Sequence, residues 1–259
     1  MNDYLFSGHF SYSHKLTRQP DHNETSLHEH DTYEILYLIS GSGELVLEGR
    51  KVLLFEGALV LFPPRVRHRI RLLSDLPYER AVINLAALDV PGAQALFSQV
   101  RVLDIRQNAR VLDLWQRLAD YAAVFSPEQR KLLLEGQVRE LMLLLQKTAD
   151  DVELALCHGQ FMTDALSYIE RHITEIENVE ALCKALHVSR AWLYREFDQA
   201  LGISPKRYIN QRRLQIARHL LQLGEDATKV AFRCGFRDYT AFYRAYRTYF
   251  GAAPKQTGK

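Results

Sequence analysis

Two groups of residues in this chain have types and spacings suited to chemistry. His28, His30 and Glu34 are separated by two and then four residues, so on an extended strand all three face one side. His68 lies in Arg65-Val-Arg-His-Arg-Ile-Arg-Leu, whose alternation sets Val66, His68, Ile70 and Leu72 on an inward face and Arg65, Arg67, Arg69 and Arg71 on a solvent face. Imidazoles with one carboxylate and open positions suit Fe(II), Mn(II) or Zn(II). The same groups also suit hydrogen bonding to an organic ligand, or a structural role as satisfied polar residues at a barrel mouth. The second group is built on Arg195 and Arg244, whose guanidinium forks match guanine O6 and N7 or a phosphate.

The first group needs strands to hold it. Tyr33-Glu-Ile-Leu-Tyr-Leu-Ile-Ser and Glu44-Leu-Val-Leu-Glu are short apolar runs separated by Gly41 and Gly43, and Glu48-Gly49-Arg50 predicts a hairpin turn into Lys51-Val-Leu-Leu-Phe. Ala58-Leu-Val-Leu-Phe ends at Pro63-Pro64, because proline has no N–H for a sheet ladder. Short strands at this spacing predict a β-barrel, and Tyr37 is a further candidate effector contact in its lumen. Tyr33 and Arg65 sit on less suitable faces. From about Arg106 the apolar period becomes helical. Val111, Leu112, Leu114, Trp115 and Leu118 form one stripe, and after Ser126-Pro127 comes a second through Leu133, Leu134, Val138, Leu141 and Leu145. These helices pack on the barrel or pair with a second subunit.

The second group belongs to a repeat. Leu193 to Pro205 matches Phe242 to Pro254 at a constant offset of 49, with Tyr194/Tyr243, Arg195/Arg244, Gly202/Gly251 and Pro205/Pro254 identical. Each copy follows a short helix and a tight turn, which is the helix-turn-helix layout, twice. At about 100° per residue, Leu193, Phe197 and Leu201 face inward while Ala191, Tyr194, Arg195 and Asp198 face outward. In the second copy Phe242, Tyr246 and Phe250 face inward, and Thr240, Tyr243, Arg244 and Arg247 outward. Between the copies, Ser204-Pro205 starts a helix and Gly224 stops it. Its length of about 28 Å is close to the ~34 Å helical turn that separates successive major-groove segments. On it, Arg207, Arg212, Arg213 and Arg218 are candidates for phosphate contacts.

In these residues the C-terminal part resembles the AraC/XylS family of bacterial transcription regulators. The matching run is Val230-Ala231, Gly235-Phe236, Thr240, Phe242-Tyr243-Arg244-Ala245-Tyr246-Arg247 and Tyr249-Phe250-Gly251-Ala252-Ala253-Pro254. The resemblance covers about residues 164–256, with Tyr246 where Phe is usual and Lys255 where a small polar residue is usual. It implies base contacts from Ala191, Tyr194 and Arg195 and from Tyr239, Thr240, Tyr243 and Arg244; Arg190 and Arg247 are further DNA-binding candidates beside them. It also implies regulation through RNA polymerase and, by family habit, a sugar as effector.

The N-terminal histidines resemble the two cupin motifs: His28-Glu29-His30, Glu34 and Gly41, then Gly57, Pro63 and His68. That resemblance implies His28, His30, Glu34 and His68 as ligands of a divalent metal. His22 and Arg65 stand where the motifs have Gly, and Leu72 where they have Asn. In AraC-type sensors the same pattern lines an effector pocket. A metal site, an effector pocket and a structural role therefore all stay open.

Charge separates the two halves. Of 33 Lys and Arg and 31 Asp and Glu, 16 and 10 fall between Asp164 and Lys259, leaving 17 and 21 elsewhere. A basic C-terminal third suits a polyanion partner. No apolar run approaches the ~20 residues of a membrane span. Cys157, Cys183 and Cys234 form no zinc or disulfide spacing, which fits a reducing cytoplasm.

The expectation is therefore a two-domain α+β chain. A cupin-like sensor with trailing helices occupies 1–147, a linker 148–162, and two helix-turn-helix units joined by a long helix 163–259. It is expected to bind operator DNA under control of a small-molecule effector, as a monomer or homodimer and away from membranes. The rival expectation is a cupin oxygenase or isomerase using His28, His30, Glu34 and His68.

Overall fold

The computed structural model describes residues 2–7, 9–18, 26–48, 50–73, 76–148 and 160–254. Residues 149–159 of the expected linker lie outside the described residues, as do His22, Gly49, Cys157 and Lys255. The chain divides into two compact units, Met1–Leu156 and Cys157–Lys259.

In the first unit the expected β-barrel takes the form of two antiparallel sheets. The larger has the order β1 (Asn2–Ser7), β2 (Phe10–Thr17), β8 (Tyr78–Leu85), β3 (Tyr33–Ser40), β6 (Ala58–Phe62), β9 (Arg101–Asp104). The smaller has the order β5 (Arg50–Phe55), β4 (Ser42–Leu47), β7 (His68–Leu72). Leu36, Leu38, Val60 and Phe62 of the larger sheet close a core with Leu45, Leu47, Leu54, Ile70 and Leu72 of the smaller. The outer face of the larger sheet is covered by helix. Ile35, Tyr37, Leu59, Leu61 and Ile83 pack on Val111, Leu114, Trp115 and Leu118 of α2 (Ala109–Val124) and on Leu134, Val138, Leu141 and Leu145 of α3 (Pro127–Thr148). The apolar stripes of both helices thus cover their own sheet. A short α1 (Ala93–Leu96) joins the same cluster.

The alternation expected from Arg65 to Leu72 holds only from His68, where β7 begins. Arg65 has a φ of 61°, in the left-handed region, so it leaves the strand path just after Pro63-Pro64. This is the position where the cupin motif has glycine. Arg71 is only partly in solvent, and its guanidinium reaches the buried Glu44 at 2.8 Å.

The second unit is helical: α4 (Gln160–Arg171), α5 (Val179–Ala185), α6 (Arg190–Leu201), α7 (Pro205–Gln222), α8 (Ala227–Arg233) and α9 (Tyr239–Phe250). Helices α5 and α6 form one helix-turn-helix and α8 and α9 the other. Each second helix starts at a side-chain cap, with Ser189 accepting from Trp192 N and Asp238 from Ala241 N. Each stops at a left-handed glycine, Gly202 or Gly251. The two turns match as well. The amide of Val188 donates to Cys183 O, and that of Phe236 to Ala231 O, closing equivalent six-residue loops through His187 (φ 56°) and Gly235 (φ 79°). Phe197 and Phe242 are fully buried, each contributing about 1.5–3 kcal/mol of apolar burial.

Candidate functional site

In the second unit the outward faces are those expected. Ala191, Arg195, Thr240, Arg244 and Arg247 are exposed, and Tyr194, Tyr239 and Tyr243 are half-buried beside them. Leu193 and Phe197, and Phe242 and Tyr246, are buried on the opposite sides. Arg190 is exposed, paired with Glu180, and lies 5.4 Å over the Tyr194 ring. The aromatic row of α9 is continuous: Tyr239 and Tyr243 are 6.2 Å apart and Tyr239 and Phe242 6.0 Å. Helices α6 and α9 therefore each offer one exposed arginine and one half-buried tyrosine at corresponding positions.

The linking helix corrects the expectation for two arginines. Arg207 is exposed, but Arg212 and Arg213 are only 3% and 7% exposed. Arg212 makes a bidentate pair with Glu170 of α4, at 2.8 and 3.1 Å, and Tyr208 Oη donates to the same carboxylate at 3.0 Å. Arg213 donates to the carbonyls of Ile173 (2.8 Å), Ile176 (2.6 Å) and Gly235 (3.0 Å). A guanidinium tolerates burial when its donors are met this way. Neither residue is available to a phosphate.

In the first unit three elements and one connecting segment bring the histidines together. Residues 28–30 run beside the start of β7. His28 N donates to His68 O at 3.1 Å, His68 N to His28 O at 2.9 Å, and Arg65 N to His30 O at 2.8 Å. His28 and His68 thus form a directly opposed antiparallel pair, with side chains on one face. The chain then bends at Asp31–Thr32 into β3, so the strand expected to run through 28, 30 and 34 is interrupted. Glu34 still points into the same space, opposite Phe62 of β6. Phe62 stacks on the His68 ring at 4.0 Å, a contact that no sequence pattern flagged.

The site is oriented by backbone carbonyls. Nδ1 of His28 donates to Ser26 O (2.9 Å), that of His30 to Thr32 O (2.8 Å) and that of His68 to Val66 O (2.8 Å). Since a carbonyl only accepts, each Nδ1 carries a proton, and each Nε2 is left to the interior of the cluster. One potential ligand atom from each histidine lies within 4.8 Å of the others. Glu34 Oε2 is 2.6 Å from His30 Nε2 and 4.0 Å from His68 Nε2. The Glu34 hydrogen bond raises the His30 pKa above its ordinary value, whereas burial lowers that of His68. The two imidazoles beside this one carboxylate are therefore shifted in opposite directions.

Tyr37, expected in this lumen, is elsewhere. Three residues from Glu34, it points to the other face of β3 and packs on Trp115 with ring centroids 5.2 Å apart. Tyr33 faces the same way, 5.1 Å from Phe97. Arg65 is exposed and paired with Asp31 at 2.8 Å.

Comparison with known proteins agrees with this division. Residues 14–145, just over half of the chain, match the AraC-like ligand binding domain, and residues 182–259 match a helix-turn-helix domain. The HTH-type transcriptional activator RhaS of Escherichia fergusonii is 27% identical over 248 residues, covering 88% of this chain and 86% of that protein. RhaS of Salmonella schwarzengrund is 27% identical over 242 residues, covering 88% and 85%. Among solved structures, ToxT from Vibrio cholerae O395 aligns at 16% identity and a TM-score of 0.40, covering 96% of this chain and 99% of that one. No helix among the described residues is long and apolar enough to cross a membrane. The chain belongs to the AraC family, as a DNA-binding transcription regulator in which a ligand-binding domain precedes a helix-turn-helix domain.

Proposed function

We propose that this regulator reads operator DNA with α6 and α9 placed in successive major-groove segments. Base edges are read by Arg190, Ala191, Tyr194 and Arg195 from one helix, and by Tyr239, Thr240, Tyr243, Arg244 and Arg247 from the other. Arg207 serves the phosphate backbone. An effector held at His28, His30, Glu34 and His68 sets the affinity. The observation that carries the reading is the pair of exposed faces, each with an arginine at the same position and each backed by its own aromatic core. Regulation through RNA polymerase, homodimer formation and a cytoplasmic setting complete the proposal, with no catalytic role for the chain.

The test is selection of genomic DNA fragments by the purified protein, followed by a salt titration on the best fragment. Arg195→Ala and Arg244→Ala are each expected to weaken binding by about 1–3 kcal/mol and to relax preference at one position. Arg207→Ala is expected to weaken all sequences alike and to reduce the salt slope by about one. Binding indifferent to sequence at every salt concentration overturns the proposal. The enzyme reading is favoured by the histidine cluster alone; turnover of a substrate that disappears with His68→Ala would establish it instead.

A further inference from the structure

We propose that Arg213 is a positioning residue that fixes the spacing and rotation of the two DNA segments this protein reads, without touching DNA itself. The inference rests on the two-segment reading under the proposed function and names the residue that enforces it. Arg213 stands near the middle of α7, and each of its three guanidinium nitrogens donates to a different carbonyl. Nε donates to Ile173 at 2.8 Å, Nη2 to Ile176 at 2.6 Å and Nη1 to Gly235 at 3.0 Å. Ile173 and Ile176 lie in the segment between α4 and α5, the second of them just before Asn178, the cap that starts α5. Gly235 lies in the turn between α8 and α9, just before Asp238, the cap that starts α9. One side chain thus bonds the entry to the first helix-turn-helix to the turn of the second.

A second contact at the same junction does not involve the arginine's donors. A Cβ on Gly235 would lie 2.6 Å from Thr174 O, so the two backbones meet with no side chain between them. Ala231 and Cys234 beside that turn are fully buried, as is Ile173 on the opposing segment at 2% exposure. The neighbouring Arg212 serves the other side of α7, where its pair with Glu170 seats the helix on α4. Successive residues of a helix point about 100° apart, so α7 grips α4 with one arginine and carries that frame to the second turn with the next. All three acceptors of Arg213 are backbone carbonyls, which move only with the planar peptides that bear them. One extra base pair displaces the second DNA segment by about 3.4 Å and turns it by about 35°. A junction closed by bonds of 2.6–3.0 Å cannot follow that change without breaking them, so a held junction reads one spacing and a loosened one accepts both.

The full-length protein is tested on three DNAs: a fragment selected from genomic DNA, a derivative with one base pair inserted between the two protected segments, and a derivative keeping a single segment. The wild type is expected to prefer the uninterrupted fragment to the interrupted one by about tenfold or more. Arg213→Lys keeps the charge but replaces a fork spanning three carbonyls by one ammonium, and its preference is expected to fall to about threefold or less. Its affinity and salt slope on the single segment stay at the wild-type values, which a general loss of structure would not leave intact. Gly235→Ala loosens the same junction from the other side with the arginine unchanged, and the same fall is expected; it decides the matter should Arg213→Lys not fold. An undiminished preference in folded Arg213→Lys overturns the assignment. So does equal weakening of Arg213→Met on all three DNAs with a salt slope lower by about one, restored in Arg213→Lys, because that is the signature of a phosphate contact. A wild type indifferent to the inserted base pair refutes the two-segment reading itself, whereas a wild-type preference kept by Arg213→Lys refutes the role of Arg213 alone.

Discussion

Replacing Gly235 by alanine separates backbone strain from close approach. Gly202 and Gly235 both have positive φ, 64° and 79°, in the same helical unit. Nothing lies within 4 Å of a Cβ at Gly202, whereas at Gly235 it meets Thr174 O at 2.6 Å and the Arg213 guanidinium carbon at 3.0 Å. The left-handed conformation costs alanine about 1–2 kcal/mol, partly offset by about 0.4–1 kcal/mol from the stiffer unfolded chain. Gly202→Ala is thus expected to lose about 1 kcal/mol. Gly235→Ala adds an overpacking term of about 1–3 kcal/mol, because the obstacle is backbone and a fully bonded arginine. The expected difference between the two variants is about 2 kcal/mol, roughly 30-fold in the folded-to-unfolded ratio. Urea unfolding followed by Trp192 fluorescence in a Trp115→Phe background reads this unit alone, since the chain's two tryptophans fall one in each unit. Equal losses for both alanines would refute the close approach.

Arg212→Ala is expected to lose about 3–5 kcal/mol in the same titration, because Glu170 is left charged and buried, and the double change to methionine recovers most of it. A stable Arg212→Ala protein with a reduced salt slope in DNA binding would restore the phosphate role. Arg65→Gly relieves a left-handed side chain at the expense of one exposed ion pair, and a gain of about 0.5–1 kcal/mol in the first unit is expected from thermal unfolding. A loss would show that the Asp31 contact matters more than the strain. Burial pushes the Cys234 thiol up to about 12, leaving about one thiolate in ten thousand at pH 8. Disulfide reagents should modify it at the rate the unit opens, and rapid modification in native buffer contradicts the packing.

The DNA-binding unit was legible because its signals are local. A repeat at offset 49, the Ser204-Pro205 start, the Gly224 stop and a helical apolar stripe are each set by residues close in sequence or by a fixed offset, and each meets its counterpart in the structure. Arg212 and Arg213 were misread because their partners lie about 40 residues away: Glu170, Ile173 and Ile176 are invisible to any window on α7. Their apolar neighbours Ile209, Leu214 and Ile216 held the available clue, since a helix buried nearly all round has no free face for phosphates. Tyr37 was recoverable from parity, as an odd spacing from Glu34 puts it on the opposite side of a strand. The histidine cluster was legible in its members but not in its cause. The bend at Asp31–Thr32, the left-handed Arg65 and the stacking of Phe62 arise from the pairing of separate segments.

Strand β3 is a partition with furniture against both sides. Glu34 stands in the enclosed space with the histidines, and its immediate neighbours Tyr33 and Ile35 stand among the residues that seat the helices. The planar peptide leaves no slack between one side and the other, and a close-packed interior does not absorb small displacements. On the helix side of the strand, Tyr33 meets Phe97 and Tyr37 meets Trp115, so one strand backbone carries both Glu34 and these contacts. Beyond those contacts α2 and α3 carry Val124 and Leu132, 70% and 82% exposed, on the outside of the unit. These are exposed apolar residues of the two helices that the far side of β3 seats.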